Sequence, residues 1–566
     1  MQPGPTPRRI LAALAVVTAA ALWLRIGASA GRELWFDDVA RLRLATLSWD
    51  AIATRLPHLD NLKSPYLVGL HKLWDLAIGH GSVLAVRGWG ILCGTALVPL
   101  AWAAARRVAP PRAALAIAAW FALDPFFVHW SAEVHNYAPA AALVLAFAAA
   151  VRTADELTLR RAAALGALGG AAVALFPPVA LALIPVFVLL VLSSARPRRL
   201  LVLAGTAALV AAPALVSIRA SAAIFAAASE KGLVWSPYFN PRTTPFEVLA
   251  RFAGLDVRQG SFSPWMAAAT SSVLVLAVIA LRSDPARRDA RALWRLRAAL
   301  LAAGVLPAAA LCLASIVWIG VFNDRYAHAA LVLLPVGLGA CVAGGLGAAS
   351  RGARAAAAGL AAIAVAGLSA GLWTMHAQGD AFPRDLTNRS FGCVALVDRA
   401  AASRPLPRLL IVHGESVTQV IRWRSEAAAR IASVRHLTTS AWLDALARGD
   451  VAEAGAPMPW GWPTGLAEAY GPGASVGREE AARRIAAGET VWLVIEHPAL
   501  VRTRHLEDEE TEHGLDAAWR LLDEPQDAAR DARILAAVSC HLDVPPAIRV
   551  EMLRDRRAAL FVFERR

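Results

Sequence analysis

The sequence predicts an all-α polytopic membrane protein with about 11 transmembrane helices, followed by a C-terminal extracytoplasmic α/β domain. First, 57% of the 566 residues are hydrophobic and only 18% are charged, too few to cover a soluble chain of this size. Second, apolar runs of about 16 to 23 residues recur, close to the length that crosses roughly 30 Å of hydrocarbon. Third, the chain becomes much more polar from about residue 376 onward.

Eleven apolar runs are long enough to be membrane spans. A further segment, 65–80, is shorter and more polar, and we expect it to form a helix packed at the outer surface. The predicted spans are 10–30, 84–105, 112–129, 137–152, 161–176, 178–194, 199–218, 265–282, 298–320, 327–349 and 354–374.

Arginine positions predict the orientation, because short cytoplasmic loops retain Lys and Arg. Eleven spans with a cytoplasmic N-terminus place every basic cluster on one side, and their odd number puts the chain after about residue 376 outside. No convincing cleavage site follows the first run, so we expect a retained helix in a multi-pass plasma (bacterial inner) membrane protein. The clusters are Arg8 and Arg9; Arg106, Arg107 and Arg112; Arg152, Arg160 and Arg161; Arg196, Arg198 and Arg199; 282–297; and Arg351 and Arg354.

Charge divides the chain into a membrane domain, 1–375, and an outer domain, 376–566. The tail from His376 carries 24 Arg against 27 Asp and Glu, a net charge of −3. The remainder holds 33 basic and 16 acidic residues, a net charge of +17. The basic balance of the whole chain is therefore a topology signal and does not indicate a nucleic-acid partner.

Short apolar runs separated by amphipathic stretches predict an α/β fold for the outer domain. The runs that begin at Leu409, Val491 and Ala559 are expected to be buried strands. The stretches 417–431 and 526–539 are expected to be helices.

The five cysteines give a prediction for the outer domain. Cys93, Cys312 and Cys341 lie inside predicted spans, where a thiol is usually a small apolar filler. Cys393 and Cys540 are the only cysteines in the outer domain. Because the predicted compartment is oxidising, we predict a disulfide between them, although their separation is open at this stage.

Cofactor motifs are missing from the sequence. There is no CxxC, HExxH or clustered histidine pattern, so a dedicated zinc site is not expected. There is also no GxxxxGK[ST] motif, so energy has to come from the substrate or from a gradient. These observations require no cofactor, and they leave open whether the protein uses a divalent metal.

Polar residues gather in three clusters at the predicted outer ends of the spans. Acids for proton transfer, with Lys and Arg for a phosphate, suit a transferase that acts on a lipid-linked donor. Carboxylates this close to hydrocarbon are costly unless they are hydrated, paired or functional, and the alternative for Asp37 and Asp38 is a loop facing water. For Tyr137 and Tyr66 the alternative is an interfacial aromatic belt. The clusters are Asp37, Asp38, Arg41, Arg43, His58, Asp60 and Lys63; Asp124, His129, Glu133, His135, Asn136 and Tyr137; and Asn323, Asp324, Arg325, Tyr326 and His328.

Motifs in order along the chain carry a family resemblance. Leu34-Trp-Phe-Asp-Asp-Val resembles an LW-aromatic-Asp-Glu loop, and Lys63-Ser-Pro-Tyr-Leu resembles Lys-Pro-Pro-Leu-Tyr-Tyr. Arg87-Gly-Trp-Gly-Ile-Leu-Cys-Gly resembles Arg-Leu-Pro-Ser-Ala-Leu-Phe-Gly, and Leu123-Asp-Pro-Phe-Phe-Val-His-Trp-Ser-Ala-Glu-Val-His-Asn-Tyr resembles Leu-Ser-Pro-aromatic through Ser-Gln-Glu-Ala-Arg-Met-Tyr. With Arg325-Tyr326 as a later Arg-Tyr pair, residues 10–350 are similar to GT-C fold glycosyltransferases of the family-39 type, which are related to protein O-mannosyltransferases and the lipid A aminoarabinose transferase.

The resemblance implies a polyprenyl-phosphate sugar donor among the membrane lipids and an inverting transfer to a lipid, glycan or protein acceptor on the outer side. It implies that Asp37 is the base, with Asp38 beside it and Glu133 as a second carboxylate. The sequence departs from the family pattern at Asp38 (usually Glu), Ser64 (usually Pro) and His135 (usually Arg). The implied donor-phosphate contacts are Lys63 and Arg325, and the other cavity candidates are His58, His135, Tyr137 and Tyr326.

Two other functional classes are alternatives to the transferase. A multi-pass transporter or flippase of lipid-linked envelope precursors would need polar residues in the middle of its spans and broken helices. A non-catalytic scaffold would not need acids and bases on three separate loops. Because the polar groups gather at the outer ends of spans that are nearly pure Ala, Leu and Val, the transferase is favoured.

Overall fold

The computed structural model describes the chain in two compact units. One is built from apolar helices (the helical unit) and the other surrounds a β-sheet (the sheet unit), and each is described by itself. The described residues are 7–30, 38, 41–42, 44–45, 47–54, 65–79, 81–151, 157–193, 197–230, 290–317, 329, 331–348, single positions between 355 and 370, 392–413, 421, 425–438, 475–496, 527–554 and 558–566.

Helices occupy nine of the predicted spans within these described ranges. The predicted surface helix at 65–80 is also present. The predicted span 265–282 falls outside the description and 354–374 is described only at isolated positions, so the count of eleven stays a prediction. The helices are α1 Pro7–Ala30, α2 Trp49–Thr54, α3 Pro65–Ile78, α4 Val83–Ala105, α5 Pro111–Leu123, α6 Pro125–Ser131, α7 Tyr137–Ala150, α8 Leu159–Leu175, α9 Val179–Ser193, α10 Pro197–Glu230, α11 Ala290–Val317 and α12 Leu333–Ala348.

Length and composition allow some of these helices to cross a membrane. Among the described residues, Arg8–Ala30 and Val83–Ala105 qualify as complete spans. The pair α5 and α6, bent by 58° at Asp124, makes a third if it is one span. Helices α7 and α9 are apolar but shorter.

Glycines allow a close contact between helices α8 and α10. A Cβ added at Gly170 would lie 2.5 Å from the carbonyl oxygen of Ala207. Gly166, one turn earlier on the same face, meets the backbone of Leu203 in the same way. Small residues at this spacing let two helix backbones approach closely in hydrocarbon.

The sheet unit is a six-stranded mixed sheet with the order β3-β2-β1-β4-β6-β5. Strands β1 to β4 are parallel, and β6 runs antiparallel to both β4 and β5. The three predicted strands are confirmed as β1, β4 and β6, and the predicted helix 526–539 is confirmed as α15. The elements are α13 Gly392–Ser403, β1 Leu409–His413, β2 Ser433–Thr438, β3 Ser475–Gly477, α14 Arg478–Ala486, β4 Val491–Glu496, α15 Ala528–His541, β5 Ile548–Arg554 and β6 Ala558–Arg565.

Alternation along the strands gives the sheet two buried faces, since successive strand residues point to opposite sides. On one face, Leu409 and Leu493 pack with residues of α14 and α15. On the other face, Leu410 and Trp492 pack with residues of α13. The sheet unit is therefore a three-layer α/β/α structure, as the alternating pattern predicted.

The predicted disulfide is wrong. Cys393 and Cys540 do not form a disulfide with each other. Cys393 lies on α13 and packs against one face of the sheet, whereas Cys540 lies on α15, whose apolar residues pack against the other face. A bridge requires Cα atoms less than about 7 Å apart, and a sheet lies between these two helices.

One ion pair in the sheet unit has a defined electrostatic effect. Arg404 donates hydrogen bonds from both terminal nitrogens to the two carboxylate oxygens of Glu551. These charge-assisted bonds lower the pKa of Glu551 and raise the pKa of Arg404. The pair therefore favours the ionised forms of both side chains.

Candidate active site

The candidate site begins at the break between α5 and α6. Asp124 caps α6, because its Oδ1 accepts a hydrogen bond from the backbone nitrogen of Phe126 at 2.9 Å. Its Oδ2 accepts a second one from the indole nitrogen of Trp120 at 2.8 Å. Proline at the first position of α6 suits such a start. Asp124 thus has a capping role.

A fully buried arginine joins this break to α1. Arg25 donates from Nη2 to the carbonyl oxygen of Phe121 at 2.9 Å and from Nε to Ser131 Oγ at 3.1 Å. It also donates to Ala21 in its own helix. The guanidinium therefore ties α1 to the last turns of both α5 and α6. A buried charge of this kind is expensive in hydrocarbon unless it makes several hydrogen bonds.

Glycines on α4 bring the next segment close. A Cβ added at Gly90 would lie 2.8 Å from the carbonyl oxygens of both Ser131 and Glu133, and one at Gly94 would collide with Ser131 Oγ. Only glycine leaves room for this backbone approach. The motif from Arg87 to Gly94 carried part of the family resemblance. The close approach of α4 to this segment explains why the motif contains glycine at positions 90 and 94.

The segment 132–136 is not helical, and it presents two candidate residues before α7 begins. Glu133 is 1% exposed and His135 is 2% exposed. Asn136 fixes the end of the segment, since its side-chain nitrogen donates to the carbonyl oxygen of Leu175 at 2.9 Å.

Glu133 and His135 form a small buried cluster in the helical unit. Each offers one metal-ligating atom, and these two atoms lie within 4.8 Å of each other. Asp38, in the segment 32–47 that belongs to the sheet unit, is 0% exposed, so the alternative that it merely faces water is wrong. The role beside Glu133 that the resemblance implies for Asp38 stays a prediction.

The chemistry of this cluster suits proton transfer or cation binding. A carboxylate and an imidazole supply oxygen and nitrogen ligands for a divalent cation such as Mn²⁺, Mg²⁺ or Zn²⁺. The same groups can take or give a proton at neutral pH when their environment tunes them. Sequence reasoning missed this ligand set, because its members do not form a local metal motif.

The structure describes Tyr137, a further candidate for the cavity, whereas other site candidates lie outside the described residues. Tyr137 stacks on His135 and is 3% exposed, so the interfacial alternative is wrong for Tyr137, whereas Tyr66 is 38% exposed. Five candidates lie outside the described residues, and their roles stay predictions. They are Asp37, His58, Lys63, Arg325 and Tyr326.

Sequence reasoning did not select two buried arginines near the site. Arg25 and Arg87 are both 0% exposed, and Arg87 donates to the carbonyl oxygen of Ser29 at 3.3 Å. The available signal was a lone charge inside an otherwise apolar run, which marks a functional or structural position by default.

Comparison with known proteins gives a fold match. No family model and no curated protein matches the chain. The structure of ArnT from Cupriavidus metallidurans in the apo state matches with 13% identity and a TM-score of 0.56, over 97% of both chains. ArnT from the same organism bound to undecaprenyl phosphate matches with 13% identity and a TM-score of 0.52, also over 97% of both chains.

A more distant match is an oligosaccharyltransferase from Archaeoglobus fulgidus tethered with an acceptor peptide. It has 15% identity and a TM-score of 0.42, over 76% of this chain and 64% of that chain, and we base no argument on it. The match to ArnT runs through the helical unit and the sheet unit alike, because it covers nearly the whole chain. The GT-C fold that the sequence motifs indicated is thereby confirmed for this chain.

Proposed function

We propose that this protein is a membrane glycosyltransferase of the family-39 type. It moves a sugar from a polyprenyl-phosphate donor to a lipid, glycan or protein acceptor on the outer side of the membrane, with inversion at the anomeric carbon. The observation that carries the proposal is the buried cluster of Glu133 and His135. The fold shared with ArnT, one structure of which holds undecaprenyl phosphate, supports the lipid donor.

The proposed base is Asp37, the covalent neighbour of Asp38. A base has to reach the acceptor hydroxyl within hydrogen-bond distance, and Asp37 stands directly before the buried Asp38 in the sequence. In this proposal Asp38 and Glu133 keep the site negatively charged and orient the base. Lys63 and Arg325 contact the donor phosphate, where positive charge stabilises the leaving group.

The cluster also offers Glu133 and His135 as ligands to a divalent cation. A cation there would supply positive charge to a phosphate or fix the geometry of the acceptor. Titrating chelator-treated protein with Mn²⁺ and following its electron paramagnetic resonance signal tests this part. Binding that is lost in Glu133→Gln supports it, and binding that is equal in wild type and Glu133→Gln removes the cation from the cluster.

The topology in this proposal is that of the sequence prediction, with the N-terminus in the cytoplasm and the sheet unit outside an inner membrane. The support is the arginine distribution of the membrane part, which carries a net charge of +17. The sheet unit then stands on the side where the acceptor is glycosylated.

A deletion strain tests the function for an acceptor of any of the three classes. Mass analysis should show a lipid-linked sugar that accumulates and an envelope glycan, lipid or protein that loses a sugar. Wild type and Asp50→Asn, which changes an exposed acid on α2, should restore the product, whereas Glu133→Gln should not. Restoration by Glu133→Gln would contradict the proposal, and accumulation of donor only on the cytoplasmic side would favour a flippase.

A further inference from the structure

The aromatic surroundings of His135 suggest a role for a neighbouring residue. The rings of His135 and Tyr137 are nearly parallel, with centroids 4.8 Å apart and an interplanar angle of 8°. This is a face-to-face stack between residues two apart in the sequence. Both side chains are almost completely buried, so solvent does not compete for the stack.

Tyr137 is itself held from two sides. The Trp130 ring meets it edge-on, with a centroid distance of 5.1 Å and an angle of 75°. The Phe176 ring meets it at 5.6 Å and 90°. Edge-to-face contacts of this kind are favourable and directional. Because Trp130 belongs to α6 and Phe176 caps the end of α8, two helices fix the plane of the Tyr137 ring.

The orientation of the imidazole decides what His135 can do. Rotation about the second side-chain torsion of histidine is broad and only weakly restrained by the backbone. A ring nitrogen binds a metal or a proton donor only along the plane of the ring, so partners that fix this plane determine the activity of a ligand histidine. In the cluster, one nitrogen of His135 lies within 4.8 Å of a carboxylate oxygen of Glu133.

We propose that Tyr137 is a positioning residue, whose ring holds the His135 imidazole so that a ring nitrogen faces the carboxylate of Glu133. The inference rests on the proposed function, in which this cluster serves sugar transfer. The ring does the positioning and the hydroxyl is not needed for it. Tyr137→Phe keeps the stack, and Tyr137→Leu removes it.

Steady-state hydrolysis of synthetic polyprenyl-phosphate sugars by purified full-length protein in nanodiscs tests the proposal, with water as the acceptor of the sugar and polyprenyl phosphate as the released product. For Tyr137→Leu we expect kcat to fall by about 10- to 100-fold, the usual loss when the partner of a ligand histidine is removed, with the donor KM unchanged. Tyr137→Phe should stay within about twofold of wild type on the same reasoning. In a His135→Ala background, Tyr137→Leu should cause no further loss of residual turnover.

A matched control separates positioning from general damage to the aromatic layer. Phe126→Leu makes a similar change in a ring that contacts Phe127 and Trp130, and it should keep nearly full turnover. The proposal is overturned if Tyr137→Phe is as damaging as Tyr137→Leu. It is also overturned if Phe126→Leu loses as much as Tyr137→Leu, or if Tyr137→Leu lowers residual turnover equally in the His135→Ala background.

A stability measurement distinguishes failure of this inference from failure of the proposed function. Melting temperatures of wild type, Tyr137→Leu, His135→Ala and the double variant form a double-mutant cycle that needs no substrate. Coupling between the two changes supports the stack, and additive losses overturn it. If wild type releases no polyprenyl phosphate while the cycle shows coupling, the proposed function and the role of Tyr137 in it fail together, and the stack is structural only.

Discussion

Replacing Gly90 by alanine gives a sharp test of how the candidate site is built. The new Cβ would lie 2.8 Å from two carbonyl oxygens, those of Ser131 and Glu133, about 0.6 Å short of an ordinary contact of 3.4 Å. Both neighbours are backbone atoms, so no flexible side chain can swing away. The segment that carries Glu133 therefore has to move.

The free-energy change follows from two opposing effects. Alanine in place of a helical glycine stabilises a helix by about 0.5–1 kcal/mol. Overpacking of a tight contact costs about 1–3 kcal/mol, and the rigid backbone neighbours favour the upper part of that range. We expect Gly90→Ala to lower the free energy of unfolding by about 1–2 kcal/mol. A displacement of this size should also reduce turnover by about tenfold or more.

The matched control is Gly205→Ala on α10, where an added Cβ meets nothing within 4 Å. Only the propensity effect acts there, so stability should stay equal or rise by about 0.5–1 kcal/mol. Thermal unfolding and turnover of both variants in nanodiscs make the comparison. If Gly90→Ala is tolerated as well as Gly205→Ala, the close approach of α4 to the Glu133 segment is wrong.

Three further predictions follow from the sheet unit and from the topology. Glu551→Gln should lower the stability of the sheet unit by about 0.2–1 kcal/mol at pH 7, because the pair with Arg404 is partly exposed. In the folded state the pKa of Glu551 is lowered from 4.5. The stability difference between wild type and Glu551→Gln should therefore shrink as the pH falls below 4.5. A difference in melting temperature that does not change with pH would contradict the ion pair. Both Cys393 and Cys540 should react with an alkylating reagent in unreduced, denatured protein. If neither cysteine reacts, the two are bridged after all. A fluorescent reporter that is active only in the cytoplasm, fused after Arg566, should stay dark. A fluorescent fusion would contradict the proposed topology.

Much of the fold follows from hydrophobic patterns in the sequence. Apolar runs predicted the helices, and the short runs that begin at Leu409, Val491 and Ala559 predicted the central strands. These features depend on local periodicity, which a sequence displays directly. The predicted disulfide between Cys393 and Cys540 is wrong because the two residues lie on helices at opposite faces of the sheet. The face that a helix covers depends on chain connections, which periodicity does not encode.

The candidate site was predicted only in part. Family motifs selected Asp38, Glu133 and His135, but the burial of all three depends on long-range packing. The sequence also did not reveal why Gly90 is needed, since its constraint comes from the backbone at the end of α6 and in the segment that follows it. Tyr137 was misread as a possible belt residue, because an aromatic at the end of a span has the same pattern whether it faces lipid or stacks on a buried histidine.

Turnover of Asp37→Asn tests the central claim most directly. The substitution keeps the shape of the side chain and removes its basic oxygen, so release of polyprenyl phosphate from a synthetic sugar donor should fall by roughly 10²- to 10⁴-fold, the usual contribution of a positioned base. Folding and donor binding should persist, and Asp38→Asn should cost less because it orients the base without taking the proton. Near wild-type turnover of Asp37→Asn in nanodiscs would contradict the account, and a larger loss in Asp38→Asn would move the role of the base to Asp38.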